Sequence, residues 1–256
     1  MSNFDRNYAT LRGVATDRAV AYDMGLRAHM IRVYNYMAGG VALTGVVAWL
    51  AFQMAGGDEI HAVGRTMVGL TPFGQALFGS PLMWVVVLAP LGLVFFLSFR
   101  IGHMQAATAR AWFFAFAAIF GLSLATIFMV YTTTSITRVF FISAASFGAL
   151  SLYGYTTQRN LDAMGSFLVM GLFGLIIASL VNIFLVSSAL QWTISVAGVL
   201  IFAGLTAWDT QKIKEFYDPM DDGTVAGRKA VMGALNLYLD FINMFMFLLR
   251  MFGDRR

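Results

Sequence analysis

Seven long apolar runs constrain this chain more than any other feature. They cover roughly Val33–Met54, Leu82–Phe99, Ala111–Tyr131, Val139–Tyr155, Ser166–Val186, Trp192–Trp208 and Ala230–Phe252. Each approaches the ~20 residues a helix needs to cross the ~30 Å hydrocarbon core of a bilayer; the fourth is the shortest. Hydrocarbon admits only structures that satisfy their own backbone hydrogen bonds, that is, helices or closed barrels. The runs lack the alternation of barrel strands, so strands are not expected. The predicted fold is therefore an all-α integral membrane protein with seven spans.

Composition agrees. Only 12% of the 256 residues are charged and 59% are hydrophobic, against about 25% charged in soluble domains. The longest polar stretches are the first 29 residues and Lys212–Lys229, both too short for a core of their own. We divide the chain into an N-terminal arm, 1–29, and one membrane domain, 30–256. The arm holds Arg6, Arg12, Arg18 and Arg27 among Asp5, Asp17 and Asp23. It has no apolar core of a signal peptide, so the first span is expected to stay in the mature protein.

Basic residues set the expected orientation. With the N-terminus in the cytoplasm, that side holds Arg6, Arg12, Arg18, Arg27, Arg32, Arg100, Arg110, Arg159, Lys212, Lys214, Arg228 and Lys229. The far side holds Arg65, Arg138, Arg250, Arg255 and Arg256. This excess follows the positive-inside rule. Seven crossings leave three arginines of the C-terminal end outside, and a re-entrant last segment is the alternative. The length of Ala230–Phe252 favours a full span. Glycines inside the runs, such as Gly171, Gly174, Gly198 and Gly204, read as close helix packing.

Several functions are excluded or disfavoured. With no cysteine, disulfides, thiolate metal sites and cysteine nucleophiles are ruled out. His29, His61 and His103 are far apart in sequence and read as interfacial residues, not ligands. The methionines and phenylalanines are core and lipid-facing filler, and tryptophans near span ends suit the interface belt. The basic residues are dispersed with no aromatic platform, so no nucleic-acid partner is expected. No phosphate-binding glycine motif is present, and no cofactor is expected.

Two acids stand out. Asp240 lies near the middle of the last run and Asp209 at the end of the sixth. An ionisable group at bilayer depth costs at least ~2.5 kcal/mol on insertion scales and marks function by default. Asn236, Asp240, Asn243 and Arg250, spaced 4, 3 and 7, fall on one helical stripe. Such a polar seam on an apolar helix belongs inside a bundle. Thr206 and Thr210 share a side of the sixth helix with Asp209. The carboxyls are expected to meet only if the sixth helix runs past Trp208 and the last starts late. A pair in a dry seam would titrate as a unit, and its hard oxygens suit Ca²⁺. Otherwise each acid simply hydrogen-bonds a neighbouring helix. Intramembrane aspartyl proteolysis also uses one Asp on each of two helices. Asp240 however stands in Tyr-Leu-Asp-Phe, not Gly-x-Gly-Asp, and no Pro-Ala-Leu motif exists, so no enzyme is expected.

The segment Ala207-Trp208-Asp209-Thr210-Gln211-Lys212-Ile213-Lys214 resembles the "YDTQ-x-IK" end of the sixth helix in the Bax-inhibitor-motif family. Leu237-Tyr238-Leu239-Asp240-Phe241-Ile242-Asn243 with Leu248-Leu249-Arg250 resembles its "LYLDFINLF…LLR" last helix. Gly121-Leu122-Ser123 through Phe147-Gly148-Ala149-Leu150-Ser151 is similar to its central signature. The resemblance implies six helices wrapped around a central C-terminal helix. It also implies a pH-sensitive Ca²⁺ leak in a bacterial inner membrane, with Asp209 and Asp240 as sensor and Arg100 as the latch to Asp209. Thr206, Asn236, Asn243 and Arg250 would support the seam. Ca²⁺ would pass or bind transiently at the aspartates. Trp208 replaces the family's tyrosine, the loop between the two motifs is long, and Ser98-Phe99-Arg100-Ile101-Gly102 matches the latch motif poorly. A rival reading is a non-conducting regulator of a membrane partner such as a quality-control protease.

Overall fold

The computed structural model describes residues 3–63 and 66–256. The expectations for Met1, Ser2, Gly64 and Arg65 lie outside them. The elements run α1 Asn3–Ala55, β1 His61–Val63, β2 Thr66–Val68, α2 Pro72–Phe78, α3 Leu82–Arg100, α4 Ala106–Val130, α5 Thr133–Thr156, α6 Asp162–Leu185, α7 Ser188–Glu215 and α8 Gly223–Phe252. Seven of the helices, all but α2, hold a segment long and apolar enough to cross a membrane. They match the seven expected runs in order, and the chain is an integral membrane protein in contact with lipid.

Three details depart from the sequence reading. α1 passes through the expected boundary at residue 29 without a break, and its spanning part begins at Tyr22. α5 is a full 24-residue span, not the shortest. Its first two turns carry Thr133, Thr134, Ser135, Thr137 and Arg138, which hid them from a reading by hydropathy. A small antiparallel hairpin, β1–β2, sits in the first connection, where strands were not expected. It lies between spans, where backbone groups need not be satisfied within a helix.

Helix ends follow side-chain chemistry. Thr132, Ser187 and Asp222 cap α5, α7 and α8 by accepting backbone N–H groups, which satisfies donors left orphaned at a helix start. The α6–α7 turn is abrupt. Val186 adopts φ 49°, a left-handed conformation that costs an L-residue about 1–2 kcal/mol. The Asn182 side chain supports it by accepting from Ser187 N at 3.0 Å.

Packing sorts the spans. α8 packs against α1, α4, α5 and α7, whereas α3 packs mainly on α4 and α6 on α7. The core centres on α8, where Leu235, Leu237, Tyr238, Met244 and Leu249 are almost fully buried. Tyr238 donates to Thr44 Oγ1 at 2.7 Å, and Thr44 donates to the Ala117 carbonyl at 2.8 Å, which ties α8, α1 and α4 together. Glycine allows the closest crossings. A β-carbon on Gly154 of α5 would lie 2.1 Å from the Ala207 carbonyl oxygen of α7. α8 is one uninterrupted 30-residue helix, about 45 Å at 1.5 Å per residue, which argues against a re-entrant last segment.

Beyond α8, the tail folds back over the α4–α5 turn. Thr132 N donates to the Asp254 carbonyl, and Arg256 N to the Val130 carbonyl. Arg138 pairs with Asp254 at 2.9 Å and Arg256 with Asp58 at 2.8 Å.

Candidate carboxylate site

α7 and α8 form an antiparallel pair. Gly233 of α8 faces Ile213 of α7, and Gly198 of α7 faces the Phe247 ring of α8. This register sets Asp240 near the level of Thr206, about one turn from Asp209. Side chains on a helix lean toward its N-terminus. On antiparallel helices the two carboxyls therefore lean toward each other and close that offset. The carboxyls of Asp209 and Asp240 are neighbours across the helix pair.

The expected depth conflict is resolved differently from the sequence reading. α7 does continue past Trp208, to Glu215. α8 does not start late, however: it begins at Gly223. Ten residues of α8 precede Gly233, while only Lys214 and Glu215 of α7 follow Ile213. The first turns of α8 therefore stand beyond the end of α7.

Asp240 is 4% exposed, and its Oδ2 is buried without a hydrogen-bond donor in reach. Asp209 is half-buried. Two adjacent carboxylates offer only acceptors; a proton on one supplies the missing donor. Among the described residues, no group of three or more histidines and acids forms a metal-binding cluster. Two carboxylates provide a fraction of the six to eight oxygens of a Ca²⁺ shell.

The other expected residues are distributed over α3, α7 and α8. Asn236 lines a cavity of about 190 Å³ with His29, Lys212 and Lys229, one turn from Asp240 on the side of the α7–α8 loop. Asn243 is half-buried and donates to the Leu239 carbonyl of its own helix at 2.8 Å. Thr206 is fully buried and its hydroxyl donates to the Phe202 carbonyl at 2.8 Å. Arg250 is exposed at the other end of α8, its guanidinium 5.3 Å from the Phe247 ring centre. Arg100 is exposed at the end of α3. Among the described residues no ion pair joins it to either aspartate.

Sequence reading missed a hydroxyl chain beside the pair. Tyr34 Oη lies 2.7 Å from Ser151 Oγ, which lies 2.9 Å from Thr210 Oγ1, linking α1, α5 and α7. Thr210 in turn donates to the Thr206 carbonyl at 2.7 Å. The signal was present: Ser135, Ser143 and Ser151 recur every eight residues on α5, on a buried face shared with Val139 and Phe147. Gln211 was also missed. Its Oε1 accepts from Leu161 N and its Nε2 donates to the Arg159 carbonyl, both at 2.8 Å, pinning the α5–α6 connection to α7.

Residues 26–256 match the family model described as "Inhibitor of apoptosis-promoting Bax1". The chain belongs to the Bax-inhibitor family. Its relatives include an uncharacterized protein, RP147, of Rickettsia prowazekii, 43% identical over 94% of this chain and 95% of that protein. The inner membrane protein YbhL of Escherichia coli K12 is 41% identical over 94% of this chain and 97% of its own length. A membrane protein of Streptococcus pyogenes, SpyM3_0260, is 33% identical over 90% of this chain and 94% of its own. Trp208 ties α7 to α6: its indole N–H donates to Asp162 of α6 at 3.1 Å. The ring fills the space beside Gly165, where a β-carbon would lie 2.3 Å from it.

Proposed function

We propose that this Bax-inhibitor-family protein is a pH-sensitive Ca²⁺ leak, with the Asp209–Asp240 pair as its ion site and proton sensor. The supporting observation is the meeting of two carboxyls inside a helix pair, with one oxygen of Asp240 lacking a donor. Packing does not require such an arrangement, and an apolar pair would be cheaper. Likeness to YbhL supports placement in a bacterial inner membrane, and the distribution of basic residues supports an N-terminus in the cytoplasm.

In this reading α8 is the axis around which the other six spans are arranged. The cavity lined by Asn236, His29, Lys212 and Lys229 is the cytoplasmic vestibule. Protonating the pair removes negative charge and with it the attraction for a cation. Deprotonating both carboxyls restores that attraction and also favours a nearby guanidinium. Arg100 would serve as that latch only if α3 shifted from its seat on α4 toward α7. Flux thus depends on two opposed effects of the same protons. The chemistry is transport, with Ca²⁺ and H⁺ as the ions handled; no catalysis and no cofactor are assigned.

The test is Ca²⁺ entry into dye-loaded liposomes across the neutral pH range. Wild type should conduct in a pH-dependent way. Asp240→Asn and Asp209→Asn should each abolish that dependence. Wild-type flux no greater than that of empty liposomes at every pH would sink the leak reading. The work would then turn to a non-conducting regulator of a membrane partner such as a quality-control protease.

A further inference from the structure

A groove separates α6 from α8. Its deeper part lies among Leu172, Leu175, Ile176 and Leu180 of α6, Phe202 of α7, and Asn243 and Phe247 of α8. Its outer end opens beside Ser179 and Asn182 of α6, Gln191 of α7 and Arg250 of α8. Ser179 and Ile183 line both parts, so the two adjoin. From Asn243 to Arg250 the groove climbs seven residues of helix, about 10 Å. Its lower walls are apolar apart from Ser179 and Asn243, and the charged group lies at the rim.

The rim lies at a bilayer interface. It adjoins the α6–α7 turn, and Trp192, 62% exposed one residue from Gln191, is placed as an interfacial tryptophan. Arg250 has no carboxylate partner among the described ion pairs, and no acid lines the rim. A guanidinium with two carboxamides beside it matches the oxygens of a phosphodiester. The apolar trough below matches an acyl chain. With no acid present, nothing would receive the ammonium of a zwitterionic headgroup, and Arg250 would repel it.

We propose that this groove is a binding site for one anionic phospholipid, its phosphate held by Arg250 with Gln191 and Asn182 and one acyl chain lying between α6 and α8. The bound chain fills the space that α6, packed on α7, leaves open against α8. The site is independent of the carboxylate pair and of any ion flux.

Native mass spectrometry of the full chain tests this after exchange from vesicles of phosphatidylglycerol mixed with phosphatidylcholine. Wild type should retain one phosphatidylglycerol in preference to phosphatidylcholine. Arg250→Gln should weaken retention roughly tenfold, the scale of one charge-assisted hydrogen bond. Ser179→Phe leaves Arg250 in place but fills the groove, and should also lose the lipid. Equal retention of both lipids, or unchanged retention in both variants, would overturn the proposal by making the lipid merely annular. Displacement by inorganic phosphate would overturn it too, since that would mark a free-phosphate site.

Discussion

α6, 24 residues, and α8, 30 residues, are both long and apolar enough to cross a membrane, yet they have opposite surroundings. α8 is buried along most of its length, on α1, α4, α5 and α7; α6 buries little beyond Gly165 and Leu175 and leaves Phe167, Met170, Phe173, Ile177 and Phe184 exposed to lipid. The more apolar of the two, α6, is the one left facing lipid, because lipid and protein interior are equally apolar solvents for a leucine. What separates them is the polar line on α8 and its absence on α6. A polar stripe is tolerable only where protein surrounds it, so it marks the buried helix of the two.

The sharpest test of this contrast removes bulk from each helix. Leu237→Ala in α8 creates a cavity at a fully buried position and should cost about 2–5 kcal/mol. Phe167→Ala in α6 deletes more atoms, but lipid fills the space, and its cost should be well below that. Unfolding of both variants in the same mixed micelles gives the comparison. Equal losses would mean that α6 is packed against something other than lipid.

Glycines extend the contrast with a smaller expected effect. Gly154 has the Ala207 backbone of α7 where a side chain would go, whereas Gly174 of α6 has nothing within 4 Å. Gly154→Leu must push two helices apart, and overpacking of this kind costs about 1–3 kcal/mol. Gly174→Leu should be neutral or slightly stabilising, since leucine is the better helix former. The thermal midpoints of the two variants, measured side by side, check this.

These two glycines also show where sequence reading stops. Both sit in apolar runs and both read as packing residues, yet only one is at a crossing. The seven spans and the two acids were legible, because length and an unusual charge are local properties. The meeting of Asp209 with Asp240 was legible only as a condition. It depends on helix register, which Gly233–Ile213 and Gly198–Phe247 set and no single segment encodes. The Tyr34–Ser151–Thr210 chain was illegible for the same reason: hydroxyls from three helices look like ordinary tolerated serines and threonines until the helices are packed. The groove beside Arg250 needed the packing of α6 on α7 rather than on α8, a property of neither helix alone.

Within α8, the Tyr238 hydroxyl offers a gentler probe. Tyr238→Phe preserves the ring against Phe113, Phe116 and Phe120 and removes only the bond to Thr44. Thr44 keeps its donation to Ala117, so no donor is orphaned. A loss of about 1 kcal/mol is expected, that of one buried hydrogen bond. A loss of several times that would mean the hydroxyl holds α1 in place rather than adding one bond to a helix already fixed by packing.

The smallest effect should come from the tie between α6 and α7. Asp162 accepts from Trp208 Nε1 and pairs with Lys212 at 2.6 Å. Its side chain is nearly half exposed, and Lys212 keeps Glu215 as a second partner at 3.1 Å. Exposed ion pairs contribute little and are screened by salt. Asp162→Asn keeps an oxygen that can accept from the indole and removes only the charge. Its thermal midpoint should fall by less than that of Tyr238→Phe, and the difference from wild type should shrink as salt is raised. A fall that exceeded Tyr238→Phe and ignored salt would show that α6 is held by this contact rather than by its apolar seat on α7. The contrast between a helix fixed by protein and one bathed in lipid would then need to be redrawn.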